Sequence, residues 1–150
     1  MVKKEVNLTP QQVNALIERE RIRLEAIRRN QSLVQQALLE MAGTLDSLKA
    51  IKASEKGEKI LVSLGSGVFT QASIENNETV KNALAGDIML DKSIDESIKL
   101  IEERRDKLQD EAKTLAMEEG RILQNISELG KGLTQLREQL KQKKETEKQD

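Results

Sequence analysis

From Ile94 to Leu140 the chain places a residue of one stripe alternately four and three positions apart, and no other feature constrains the fold as strongly. The positions are Ile94, Ile98, Ile101, Arg105, Leu108, Ala112, Leu115, Glu119, Ile122, Ile126, Leu129, Leu133, Leu136 and Leu140, twelve of the fourteen apolar. A 3.5-residue period kept this long holds one helix face against a partner and imposes a left-handed supercoil. A second seam precedes it, through Ile17, Glu20, Leu24, Ile27, Gln31, Val34, Leu38, Met41, Leu45 and Leu48, eight of the ten apolar. The polar exceptions Glu20, Gln31, Arg105 and Glu119 read as residues that fix register or partner choice.

Start and stop signals bound the two helices. Thr9 as N-cap, Pro10 at the first helical position and Gln12 three residues after the threonine form a capping box. Pro10 is the only proline, so nothing forbids a long run, and the first coil helix is expected over residues 9–56. It fades where Ser54 and Gly57 lower helix propensity. Ser93 to Glu96 is a second capping box, which opens a coil helix over 93–141. Residues 142–150 turn to charged and polar residues, a solvated tail expected to be disordered.

Between the helices, over 59–91, the period changes. Ile60 to Leu64 is a short apolar run, Gly65-Ser66-Gly67 a turn, and Val68 to Ile74 a strand. Glu75 to Glu78 reads as a second turn, because asparagine tolerates the left-handed conformation of tight hairpins. Thr79 to Ala85 and Ile88 to Leu90 supply two more strands around Gly86, which makes two hairpins. The Gly65-Ser66-Gly67 turn lacks the third glycine, the Lys-Ser/Thr and the following helix of a phosphate loop.

Composition narrows the function. Phe69 is the only aromatic residue and 34% of the chain is charged. Large aromatics bury roughly 150–250 Å² each, so a compact core would have to come from aliphatic residues spread along the chain. A net charge of −1 offers nucleic acid no bulk attraction. The chain has no cysteine and no histidine. Disulfides are therefore excluded, and the commonest general base, zinc ligand and thiol nucleophile are missing. No catalytic residue, metal ligand or cofactor site stands out, and an enzyme is not expected. No apolar run reaches the ~18 residues of a membrane span, which leads to an expectation of a soluble, cytoplasmic protein.

The expected fold is mainly α, a single domain over 1–150. It is an antiparallel two-helix coiled coil of arms ~70 Å long, with the hairpins at the bend and both termini at the far tip. Two isolated hairpins are marginal in water. Ile60, Val62, Leu64, Val68, Phe69, Ile74, Val80, Leu84, Ile88 and Leu90 give the insert more apolar surface than so small a sheet covers. Oligomerisation into a barrel-like body resolves this. At the tip, Val13, Leu16, Ile17, Leu129, Leu133, Leu136 and Leu140 either complete the seam or, where the coil frays, offer an apolar patch to unfolded chains. The corresponding alternative is a structural spacer or stalk subunit with one dedicated protein partner.

The order of a heptad helix, Ile60-Leu61-Val62-Ser63-Leu64-Gly65-Ser66-Gly67-Val68-Phe69, a turn at Asn76-Asn77, a second strand pair, and Ser93-Ile94-Asp95-Glu96-Ser97-Ile98 opening another heptad helix resembles prefoldin. Two hairpins rather than one make it similar to the archaeal α-type subunit. The resemblance implies a hexamer of two α with four β-type subunits, whose strands form a double β-barrel and whose coils hang from it. It implies an ATP-independent chaperone without cofactors, which captures unfolded client proteins at the coil tips and passes them to a group II chaperonin. On this chain the tip residues named above become the client grip, and Ile60 to Leu90 the assembly surface.

Overall fold

The structure, a computed structural model, describes residues 8–85 and 87–146. In order the elements are helix α1 (Pro10–Ala53), strands β1 (Lys59–Gly65), β2 (Val68–Ser73), β3 (Thr79–Ala85) and β4 (Ile88–Ser93), and helix α2 (Ile94–Thr146). This is the expected coiled coil with two hairpins. Both capping boxes form. The Thr9 N–H donates to Gln12 Oε1 at 2.8 Å and the Gln12 N–H to Thr9 Oγ1 at 3.3 Å. At the second helix the Ser93 N–H reaches Glu96 Oε2 at 3.2 Å, and the Glu96 N–H reaches Ser93 Oγ at 3.1 Å. Each pair satisfies two backbone donors that have no partner within the helix.

The far ends of the helices differ from the sequence expectation. α1 ends at Ala53, three residues before 56. The Ser54 N–H bonds to Ile51 O at 3.2 Å in a tightened last turn, and Gly57 turns the chain at φ +89°. α2 continues to Thr146, so 142–146 are helical where a disordered tail was expected. Lysine, glutamine and glutamate are good helix formers, and a polar composition alone does not stop a helix already nucleated. Residues 147–150 of that expected tail lie outside the described residues.

The hairpins are near duplicates, twenty residues apart. β1 pairs antiparallel with β2 from Lys59↔Ser73 to Ser63↔Phe69, and β3 with β4 from Thr79↔Ser93 to Ala83↔Met89. Each ladder shifts register just before its turn, and the extra residue is Leu64 in one and Leu84 in the other. The repeat extends into the helix junctions, where the Ile74 N–H bonds to Glu58 O and the Ile94 N–H to Glu78 O, both at 2.9 Å. Ser66 at φ +52° and Gly67 at φ +79° give the first turn positive φ at both central residues, the geometry that matches strand twist. The expected second tight turn at 75–78 instead links the two hairpins. Neither Asn76 nor Asn77 has positive φ. Asn76 Oδ1 accepts the Glu78 and Thr79 N–H groups at 2.8 and 3.2 Å, and Asn77 Nδ2 donates to Ser54 O at 2.8 Å. Their side chains, rather than their backbone freedom, organise the link.

The chain clusters into two compact units, one comprising the described residues of Met1–Leu33 and Ala112–Asp150, the other Val34–Glu111. In the first, the start of α1 and the end of α2 pack antiparallel around Val13, Leu24, Ile27, Leu115, Ile122 and Leu133. In the second, Val34, Leu45 and Leu48 are buried from α1, with Ile94 from the start of α2 and Ile74 from the end of the first hairpin. Every position of the two seams is buried or half-buried except Leu140, which is exposed, as a 3.5-residue period requires of a packed stripe. Ser97 was not expected inside. It is 1% exposed, and its hydroxyl donates to Asn82 Oδ1 at 2.9 Å, tying the second hairpin to α2.

Ile122 is 1% exposed and Leu39, off the seam, is 75% exposed. Urea denaturation followed by circular dichroism is expected to show Ile122→Ala costing about 2–5 kcal/mol, and Leu39→Ala less than about 0.5 kcal/mol. Equal costs would mean that the seam does not carry the stability.

Candidate functional site

Two surfaces stand out, one in each unit. Among the described residues of the first unit, the coil is open at the end where α1 begins. A groove of about 560 Å³ opens there, with Leu8, Val13, Leu16 and Glu20 on one side. Asn125, Glu128, Leu129, Gly132 and Leu136 form the other side. Of the seven expected tip residues, the structure brings Val13, Leu16, Leu129 and Leu136 to this groove. Val13 and Leu133 are buried, so they hold the helix pair together, and Ile17 is half-buried in the seam. Leu140 lies beyond the groove and is exposed.

Sequence reasoning missed Leu8, Asn125, Glu128 and Gly132, and read Glu20 only as a seam residue. A signal for Leu8 was present. It precedes the N-cap Thr9, and Val13 is the fourth helical residue, the two positions that a hydrophobic staple joins. Both side chains line the same groove.

About two to three turns farther along α1, Gln31 and Glu119 behave as register elements. Glu119 of α2 accepts two hydrogen bonds from α1, from Arg28 Nε at 2.8 Å and from Gln31 Nε2 at 3.0 Å. The Arg28 hydrogen bond is the main reason that the Glu119 carboxyl is held below its ordinary range. The Gln31 bond and the charge of Arg28 add to this, against a smaller opposing effect of desolvation. Arg105, expected in the same role, instead bonds to its neighbour Asp106 at 3.0 Å.

The second surface is the pair of hairpins. Leu64, Val68, Phe69, Leu84 and Ile88 are each more than half exposed, and Val62 and Leu90 are exposed to a lesser degree. Ile60 and Val80 are half-buried. Ile74 is a correction to the expected assembly set. At 6% exposure, with its N–H and C=O bonded to Glu58 and Gly57, it belongs to the junction between hairpin and helix. Leu61 and Met89, absent from the expected set, are exposed. In the first ladder Ile60 and Val62 share a face with Val68, and Leu61 shares the other with Phe69. Apolar side chains therefore occupy both faces of a two-stranded sheet, which a single helix pair could cover on one side at most. The second hairpin adds a cross-strand ion pair, Lys81 Nζ to Asp91 Oδ1 at 2.9 Å. No described helix is long and apolar enough to cross a membrane.

A family model for prefoldin subunits matches residues 22–144. The chain belongs to the prefoldin family. Among its relatives, the prefoldin subunit alpha of Thermofilum pendens is 32% identical over 84 residues, 56% of this chain and 65% of that protein. The prefoldin subunit alpha of Methanococcus maripaludis is 30% identical over 67 residues, 45% of this chain and 44% of the relative. The matched stretch thus spans less than two thirds of each relative's own length. Both are α subunits, in agreement with the α-type resemblance of the two-hairpin insert. A chain of the cryo-EM structure of filamentous PFD from Methanocaldococcus jannaschii shares the fold, with a TM-score of 0.65 and 20% identity over 75% of this chain and 93% of that one.

The lowered pKa of Glu119 sets a pH dependence. Its contribution to stability is fully present above the ordinary glutamate value of 4.5 and is lost as pH falls through the folded-state value beneath it. Glu119→Gln should therefore lower the melting temperature at pH 7, and the gap to the parent should narrow as acid titrates the parent's carboxylate. Arg28 is well exposed, so added salt should narrow the gap too. A gap independent of pH would refute the ionic part of this contact.

Proposed function

We propose that this chain is a subunit of an ATP-independent chaperone that captures non-native proteins at the open end of its coil and passes them to a group II chaperonin. The observation that carries this reading is the groove. At the end of the first unit where α1 begins, Leu16, Leu129 and Leu136 stay partly accessible on the walls of one opening. An apolar opening without a dense set of polar anchors suits weak, sequence-tolerant binding of unfolded chains. The exposed hairpin strands support assembly with β-type subunits, two α with four β, into a strand-built body that presents the coils. Family membership is in keeping with both roles. The site of action is the cytoplasm, and the absence of histidine and cysteine favours a binding role over a catalytic one.

The test follows light scattering of a urea-denatured client diluted into the complex of this chain with a β-type partner. The complex should suppress aggregation without ATP. Leu16→Ser, Leu129→Ser and Leu136→Ser combined should weaken suppression severalfold while the mass of the complex stays the same, because the buried Val13 and Leu133 still hold the helix pair together. Full suppression by the triple variant would remove the groove from the proposal. A parent complex that binds one folded partner and no denatured client would favour a spacer or stalk instead.

A further inference from the structure

The groove is not apolar throughout. Glu20 lines it, and Glu20 Oε2 is buried with no hydrogen-bond partner among the described residues. A residue that sets register needs a partner across the seam, and Glu119 has two. Glu20 Oε2 has none, so register does not account for it. The other charged residue on the wall, Glu128, is exposed and accepts a hydrogen bond from Gln124 Nε2 at 2.9 Å. Among the described lining residues there is no basic side chain to neutralise either carboxylate.

A buried carboxylate oxygen without a partner carries a desolvation cost that only a hydrogen bond or an opposite charge offsets. The group that best supplies both is a guanidinium, which donates in a planar fork and is only weakly hydrated. Its methylene stem would lie along leucine side chains while its head reaches an acidic oxygen. An ammonium on a lysine stem offers the same charge with less directional bonding.

We propose that Glu20 is a specificity-determining residue of the capture site. The groove takes segments of non-native protein in which an arginine or lysine stands among apolar residues. The cationic head bonds to the Glu20 carboxylate, which lines the groove on a half-buried residue, and the apolar neighbours pack on Leu16, Leu129 and Leu136. This rests on the capture reading above and adds a preference in charge to it.

The test uses two fluorescent, unstructured peptides, one with a single arginine flanked by leucines and one with citrulline, its uncharged isostere, in that place. Binding to the complex of the full chain with a β-type partner is read by fluorescence anisotropy. The arginine peptide should bind about five-fold more tightly at low salt, and the preference should fade as salt rises. Glu20→Gln should bring the two affinities toward parity. Glu20→Leu, which also suits an apolar seam position, carries the same expectation should the amide variant fail to assemble. Equal affinities on the parent complex, or a preference undiminished in both variants, overturn the assignment while leaving capture intact. If the parent binds neither peptide, the capture reading itself falls, and this inference with it.

Discussion

A seam between two helices buries one stripe of each helix, and the rest of this structure is arranged around that limit. Each helix contributes a residue every three or four positions, and those residues are the ones that leave solvent in both compact units. A chain with a single aromatic residue gains nearly all of its internal apolar contact in this way. Apart from Ile74 and Ser97, packed where the hairpins join the helices, no described residue off the stripe is fully buried. The hairpins are the clearest case. Their inner backbone groups pair in their own ladders and at the helix junctions of Ile74 and Ile94, but among the described residues each strand keeps an outer edge with no strand partner, and Leu61, Phe69, Leu84 and Met89 remain in water.

The polar seam residues divide the coil's work. Glu119, held by Arg28 and Gln31, opposes any slip of α1 along α2, because a slip would leave a part-buried carboxylate without its donors. Glu20 stands nearer the open end, with an oxygen that nothing in the described chain satisfies. A closed, pinned seam thus gives way to an open one within one unit. The change coincides with the start of α1, where the staple residues Leu8 and Val13 leave room facing Leu129 and Leu136.

Much of this was legible in the sequence, and the parts that were not have definite causes. The seams could be read because a 3.5-residue period maps directly onto burial, and the helix starts because a capping box is a local reciprocal contact. The end of α2 could not be read, since a run of lysine, glutamine and glutamate has the composition of a disordered tail and the propensity of a helix. The hairpin duplication was hidden because few residues coincide at the twenty-residue offset, among them Glu58 with Glu78, Leu64 with Leu84 and Ile74 with Ile94. Ser97 lies outside the apolar rhythm, and only the position of Asn82 explains its burial. At the open end the leucines of the groove could be named from the seam. Spacing alone did not say which of them, Leu16 rather than Leu133, stay accessible. The state of Glu20 depends on which neighbours are missing, and no local pattern encodes that.

The function proposed above requires that other subunits cover the exposed apolar residues of the hairpins. Light scattering coupled to size exclusion tests it most directly, on this chain alone and with a β-type partner. The chain should enter a stable assembly of several subunits, and charges placed on the exposed strand positions, Leu61→Lys with Phe69→Lys, should return it to smaller species while the helices keep their circular dichroism. A chain that stays monomeric in every mixture, or an assembly indifferent to those charges, would contradict the account.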